Sequence, residues 1–411
     1  MISKRFKNTY FLLVFTLFFS FISCGQNKQQ NIATNNAPVS KNTSEKIETG
    51  AHQTQLYVNL LKNKNIAVVA NQTSVIFKSK DNNYTHLIDS LLKLNINVKK
   101  VFSPEHGFRG EADASEAIEN GIDKKTGLPI VSLYGKNKKP TAAQLEKIDL
   151  VVFDIQDVGV RFYTYISTLH YVMEACAELG IEVMVMDRPN PNGHYIDGPT
   201  LEKQHQSFVG MHEVPLVYGM TIGEYAQMIN GEGWLKNKVK CKLTVIPLKN
   251  YTHQSFYHLP IRPSPNLPND KAINLYPSLG FFEGTIINAG RGTENQFQQY
   301  GAPFFPKSDF SYTPQPNFGS KYPKHEGKIC YGVNLQNEER LSNVSIKWLL
   351  DAYNKTPKTE AFFGSTFTIH VGNEILQQQL IEGKSAKEIQ DSWQPKIEDF
   401  KKIRSHYLLY K

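Results

Sequence analysis

Short, unbroken apolar runs alternate with helix-length periodic segments through the first half of this chain, and that alternation constrains the fold more than any other feature. Residues 149–154, Asp-Leu-Val-Val-Phe-Asp, are the clearest case. A run so short and so uniformly apolar suits a strand covered on both faces, as in the middle of a parallel sheet. Residues 66–70, 98–102, 130–133, 181–186 and 243–247 read as further strands. Between them, residues 85–94 place Leu87, Ile88, Leu91 and Leu92 at helical spacing. Residues 141–148 read as a helix capped by Thr141, and 165–179 as one closed by Gly180. This order predicts an α/β fold: a mostly parallel sheet with helices on both faces. Beyond Gly198, Thr221 and Glu224 have the spacing of a capping box, which makes Glu224 structural. Helices over 344–353 and 373–382 and a strand over 366–371 then suggest a second, smaller α/β domain. The expected domains are 52–250 and 251–411.

The first residues speak to location. Lys4, Arg5 and Lys7 precede an apolar run over 10–22, too short to span a bilayer but suited to a signal-peptide core. The run ends in Ser23-Cys24-Gly25, which resembles the lipobox of bacterial lipoproteins. Residues 1–23 are therefore expected to be removed and Cys24 to carry lipid, with 24–51, poor in bulky apolar groups, as a flexible tether. The missing acidic cluster after Cys24 favours the periplasmic face of the outer membrane. A formal charge of +8, spread along the chain and partly lost with the signal, gives no argument for nucleic acid. The other cysteines, Cys176, Cys241 and Cys330, form no C-x-x-C, so neither a disulfide framework nor a metal cluster is expected.

Polar chemistry gathers where the strands end. The first strand is followed by Asn71-Gln72-Thr73, and the second by Ser103-Pro104-Glu105-His106-Gly107-Phe108-Arg109-Gly110. After the fourth comes Asp154-Ile-Gln156-Asp157-Val-Gly-Val-Arg161-Phe-Tyr163-Thr-Tyr165, and after the fifth Asp187-Arg188-Pro-Asn190-Pro. Ligands of open α/β sheets bind at the carboxyl ends of the strands, so this asymmetry predicts one site there. Glu105 is the first choice for proton transfer, against a role pinning the loop through Arg109; His106 is a support or a turn histidine. Asp154 and Asp157 are candidates for a second carboxylate, with turn capping as the alternative for Asp157. Arg161 with Tyr163 and Tyr165 reads either as a sugar or carboxylate clamp or as a salt bridge beside two core tyrosines. Asn71, Gln156, Arg188 and Asn190 complete the expected binding residues, joined by Glu283 and by Arg291 in a Gly-Arg-Gly turn. The first strand lacks G-x-G-x-x-G, so no dinucleotide cofactor is expected; G-x-S-x-G, Walker and H-E-x-x-H motifs are also absent.

Taken together, these segments resemble the exo-β-N-acetylmuramidase family, long catalogued as a domain of unknown function. The resemblance continues through Pro263-Ser-Pro-Asn-Leu-Pro, Phe282-Glu-Gly-Thr, Gly290-Arg-Gly-Thr, Gly301-Ala-Pro and Tyr407-Leu-Leu-Tyr. It implies a Rossmann-like catalytic domain, a smaller domain completing a cleft, and release of β-1,4-linked N-acetylmuramic acid (MurNAc) from non-reducing ends of peptidoglycan fragments. It also places the family's catalytic glutamate on Glu105. The lactyl carboxylate of MurNAc suits an arginine, for which Arg161, Arg188 and Arg291 compete. Retaining, inverting and substrate-assisted routes stay open, with Asp154 or Asp157 to orient the 2-acetamido group in the last. Asn288-Ala289 and Gln296-Phe297-Gln298 stand where many members carry acidic residues. That departure keeps two alternatives: a silent peptidoglycan-binding lipoprotein, or another hydrolase of envelope glycans or esters.

Overall fold

The computed structural model describes residues 46–77, 83–108 and 121–411. The expected signal, most of the tether, Cys24 and Arg109 lie outside them. Its strands are β1 (Ile66–Ala70), β2 (Val75–Phe77), β3 (Tyr84–His86), β4 (Val98–Ser103), β5 (Gly121–Ile122), β6 (Pro129–Ser132), β7 (Leu150–Asp154), β8 (Glu182–Met186), β9 (Lys242–Ile246), β10 (Gln299–Ala302), β11 (Ser311–Tyr312) and β12 (Cys330–Asn334). Seven of them form one sheet in the order β5-β6-β4-β1-β7-β8-β9, parallel except for the edge strand β5. Leaving β5 aside, the strands run 3-2-1-4-5-6 in chain order, the doubly wound arrangement of Rossmann folds.

Strand residues alternate between two cores. Ile66, Val68, Leu150, Val152, Met184 and Met186 point to one face, where α1 (Thr54–Leu61) supplies Tyr57 and Leu61 and α2 (Leu87–Lys93) supplies Leu87, Ile88 and Leu91. Ala67, Val69, Val151, Phe153, Val183 and Val185 point to the other, against α3 (Tyr165–Leu179) and α4 (Ile222–Gly231). Because both faces are covered, β1 and β7 are buried along their whole length, which is why they read as unbroken apolar runs. Gly180 takes the left-handed conformation (φ 70°) that closes α3, and Thr221 and Glu224 form the expected capping box on α4.

The larger core continues into the second half. It takes in residues of α5 (Asp270–Leu279), α6 (Lys347–Lys355), α7 (Phe367–Val371), α8 (Ile375–Ile381) and α9 (Ala386–Arg404), together with Tyr300 and Ala302 of β10 in the antiparallel sheet β10-β12-β11. The described residues thus form one compact unit. Two expected elements differ. Residues 141–148 make a series of turns, with Lys147 at φ 60°, rather than a helix. The alternating pattern at 366–371 is α7, not a strand: Phe367 and Val371, four residues apart, are both fully buried, and Gly372 (φ 88°) ends the helix. The chain also joins the fold before residue 52. Glu48 pairs with Lys249, and the Gly50 amide donates to the Asp187 carbonyl at 2.9 Å.

The segment around residue 410 closes the carboxyl end of β8. The Tyr410 hydroxyl donates to Asp187 Oδ2 at 2.6 Å and accepts from the Leu248 amide at 2.7 Å. The amides of Leu409 and Tyr410 donate to Glu224 Oε1, whose other oxygen meets the Thr221 amide and His253.

Candidate active site

Strand β4 ends where Ser103 and Pro104 lead into a tight turn, with the Gly107 amide donating to the Pro104 carbonyl at 3.1 Å. His106, third in that turn, has φ 70°, a conformation normally left to glycine and costing another residue roughly 1–2 kcal/mol. Gly107 follows at φ 80°. This turn holds Glu105 half-buried at the strand's end, with His106 almost fully buried beside it. On the other side, Thr164 stands at the start of α3. Its hydroxyl caps no helix amide; it donates instead to Glu105 Oε2 at 2.7 Å. The Tyr165 hydroxyl reaches the Glu105 carbonyl at 3.4 Å.

Glu105 opens onto a cleft lined from both halves of the chain. The sheet side contributes Glu105, His106, Phe162, Tyr163 and Thr164. The second half contributes Ser264, Asn266, Tyr276, Glu283, Arg291, Phe297 and His370. The rigid loop 262–268 is tied to the sheet by the Tyr163 hydroxyl, which donates to the Pro263 carbonyl at 2.7 Å. It is tied to the second half by Asn266, whose side-chain amide donates to the Gly319 carbonyl. Glu283 lies in the 3₁₀ segment Gly280–Gly284 after α5, and Arg291 Nη1 donates to its Oε2 at 2.8 Å. Burial opposes charge on Glu283, but Arg291, Lys324 and His370 around it outweigh burial and hold its carboxyl below the usual range.

Several sequence candidates lie elsewhere. Arg161 is fully buried and is no clamp: Nη1 donates to the carbonyls of Pro199 (2.6 Å) and Val214 (2.8 Å), and Nη2 to that of Val371. Burial pushes its guanidinium down to about 9. It joins the end of α7 to the first half and makes no salt bridge among the described residues. Arg188 and Asp154 satisfy each other, with Nε and Nη2 reaching the two carboxylate oxygens at 2.6 and 2.9 Å. Both are buried away from the cleft, so Asp154 has no oxygen to offer a substrate.

Asn71, Gln156 and Asn190 are also committed within the protein. Asn71 donates to the Tyr165 hydroxyl and accepts from Thr73, Gln156 donates to the carbonyls of Asp157 and Pro189, and Asn190 donates to the Met220 carbonyl. The Gln156 amide in turn donates to Thr73, and the Ser74 hydroxyl to the Asp154 carbonyl. These bonds stitch the ends of β1 and β7 together at the topological switch point, where a dinucleotide would otherwise sit. Tyr165 stands behind Tyr163, their rings edge to face at 4.7 Å.

Asp157 occupies an intermediate place. It is buried behind the tyrosines rather than in the cleft wall. The Tyr218 hydroxyl and the Gly159 amide donate to its Oδ2, while Oδ1 has no hydrogen-bond partner among the described residues. Burial raises its carboxyl to about 6, against the opposing pull of those two donors. Sequence reasoning missed Tyr276, Phe297 and His370. Tyr276 and His370 lie within helices, and Phe297 was noted only as part of Gln296-Phe297-Gln298, where many family members carry an acidic residue; Ser264 and Asn266 had a signal, in their proline-rich loop.

Known proteins share this architecture. Residues 66–271 match the family described as exo-beta-N-acetylmuramidase NamZ, N-terminal, and residues 274–410 match its C-terminal counterpart. The chain is 37% identical over 405 residues to peptidoglycan beta-N-acetylmuramidase NamZ of Bacillus subtilis (strain 168), covering 92% of this chain and 95% of that one. Two crystal structures of DUF1343 family proteins from Bacteroides fragilis superpose on it, each covering 89% of this chain and 99% of its own. Their TM-scores are 0.81 and 0.76, at 45% and 27% identity. With both family halves matched in order along one sheet-and-cleft architecture, the chain belongs to the NamZ family of exo-β-N-acetylmuramidases.

Proposed function

We propose that this protein hydrolyses the terminal β-1,4 bond of peptidoglycan fragments and releases MurNAc from their non-reducing ends, with Glu105 as general acid and base. The observation that carries the reading is the Glu105 carboxylate, fixed by Thr164 at 2.7 Å in the wall of an aromatic-lined cleft. Glu105 protonates the departing glycosidic oxygen and then takes a proton from the incoming water. Phe162, Tyr163, Tyr276 and Phe297 give the cleft apolar surfaces suited to sugar-ring faces. Of the three arginines weighed for the lactyl carboxylate, Arg291 alone lines the cleft, and it is assigned that role.

The test is mass analysis of products from a MurNAc-GlcNAc disaccharide. Free MurNAc is expected from the wild type and none from Glu105→Gln, whose melting curve stays native. Near-normal turnover by that variant overturns the assignment of Glu105.

The N-terminal sequence supports a lipid on Cys24 and residence at the periplasmic face of the outer membrane. Cys24→Ala should move the protein from the membrane to the soluble envelope fraction; unchanged fractionation would discard the anchor.

A further inference from the structure

An acid at the glycosidic oxygen requires a second group at the reacting sugar, and neither Asp154 nor Asp157 lines the cleft. Among the described residues that do, the carboxylates are Glu105 and Glu283. They come from the two halves of the chain, and Tyr276, also in the cleft wall, lies within the electrostatic reach of both. Backbone packing fixes the Glu283 segment: a Cβ on the adjacent Gly284 would come within 2.5 Å of Phe367 Cα. Lys324 locks the segment further by donating to the carbonyls of Phe282 (2.7 Å), Glu283 (3.2 Å) and Thr285 (2.6 Å).

The chemistry of the sugar then assigns the role. The acetamido and lactyl groups of MurNAc stand on adjacent ring carbons, so the protein groups that read them must also be neighbours. Arg291 and Glu283 are in direct contact, Nη1 to Oε2 at 2.8 Å. If Arg291 meets the lactyl carboxylate, Glu283 falls beside the acetamido group. Its Oε2 is engaged by the guanidinium, which blunts it as a nucleophile. Its Oε1 makes no hydrogen bond to any described residue and is ready to accept an amide N–H.

We propose that Glu283 is the catalytic partner of Glu105, accepting the N–H of the 2-acetamido group so that this group serves as internal nucleophile. The inference rests on the muramidase reading above. In the first step the acetamido oxygen bonds to C1, the C1–O bond to the leaving sugar breaks, and Glu105 supplies the proton to that oxygen. The resulting oxazolinium keeps its N–H on the Glu283 carboxylate. In the second step water bonds to C1, Glu105 takes its proton, the bond from C1 to the acetamido oxygen breaks, and the acetamido group is restored. Two displacements at C1 return the starting configuration.

The experiment uses an aryl β-N-acetylmuramide, with a thiazoline derived from MurNAc as a mimic of the cyclic intermediate. The wild type should give the β-anomer first by NMR. Glu283→Gln should lower kcat about 100-fold or more with KM within about threefold. The thiazoline should bind Glu283→Gln at least about 10-fold more weakly than wild type, while MurNAc binds both alike. Three results overturn the inference: inversion at C1, turnover of Glu283→Gln within about threefold of wild type, or equal weakening of MurNAc and thiazoline, which marks Glu283 as a mere prop for Arg291. Failure of the wild type to release MurNAc from any substrate overturns the muramidase reading itself, a result separate from these three.

Discussion

The hydroxyl of Thr164 points away from its own helix and donates to Glu105 Oε2 at 2.7 Å. A threonine at a helix start ordinarily bonds a backbone amide of the first turn, so this one forgoes a cap to hold a side chain from another strand. The bond fixes the orientation of the Glu105 carboxylate in the cleft wall. Thr164→Val keeps the shape and removes the bond. Its kcat should fall about 10-fold, near 1.4 kcal/mol, with KM little changed, and Thr164→Ser should recover most of the loss. Steady-state kinetics on an aryl muramide decide it; an unaltered kcat in the valine variant removes Thr164 from the mechanism.

Arg291 and Arg188 should respond to truncation in opposite ways. Arg291→Ala should weaken binding of β-muramides roughly 10- to 100-fold, as loss of a charged hydrogen bond does, and should also lower kcat because its Nη1 holds Glu283 Oε2. Arg188→Met instead leaves the buried carboxylate of Asp154 uncompensated, so it should cost about 3–5 kcal/mol of stability. Paired substrate kinetics and denaturant melts on the two variants separate recognition from structure.

Asp157 predicts a pH effect with a definite sign. Its folded-state carboxyl is raised to about 6 from an ordinary value of 3.8, so the folded protein holds the proton more tightly than the unfolded chain. The associated stability is fully present below about pH 4 and lost as pH rises through about 6. Asp157→Asn keeps an oxygen for Tyr218 and Gly159 but cannot ionise. Relative to wild type it should gain about 1.4 kcal/mol between pH 5 and pH 7.5. Urea melts at the two pH values test this, and a pH-independent difference between the proteins contradicts it.

Gly372 ends α7 at φ 88°, and a Cβ there would lie 2.6 Å from Arg161 Nη2. Gly372→Ala should therefore cost about 2 kcal/mol or more through backbone strain and displacement of the guanidinium. Because α7 carries His370 into the cleft, activity should fall along with the melting temperature. A variant that melts like wild type would show that the Arg161 contacts yield freely.

The sheet was legible because its strands are covered on both faces. Residues 66–70 and 150–153 had to be apolar without interruption, and a pattern that strong survives without context. Residues 366–371 misled because Thr-Phe-Thr-Ile-His-Val alternates like a strand, while the contacts that decide are Phe367 and Val371 on one helical face. At the site, Glu105 was legible because Pro104 and Gly107 mark the end of a strand. Arg161 and Arg188 were misjudged for a different reason. Composition shows that a guanidinium is present, but not whether backbone carbonyls or a carboxylate have already taken its donors. Glu283 was placed among the binding residues; its closeness to Arg291 and to the cleft arises from packing around α5 and α7, which no local pattern records.

The clasp at residue 410 carries a consequence for how the protein is made. Tyr410 reaches Asp187 across 223 positions of sequence, and its neighbours complete the shell of Glu224. A nascent chain can pair its parallel strands early, yet the carboxylate at the tip of β8 waits for a donor at Tyr410, far beyond the last strand of that sheet, which ends at Ile246. A chain interrupted before residue 410 therefore holds two buried acids short of partners, and becomes a substrate for proteases rather than a half-built enzyme.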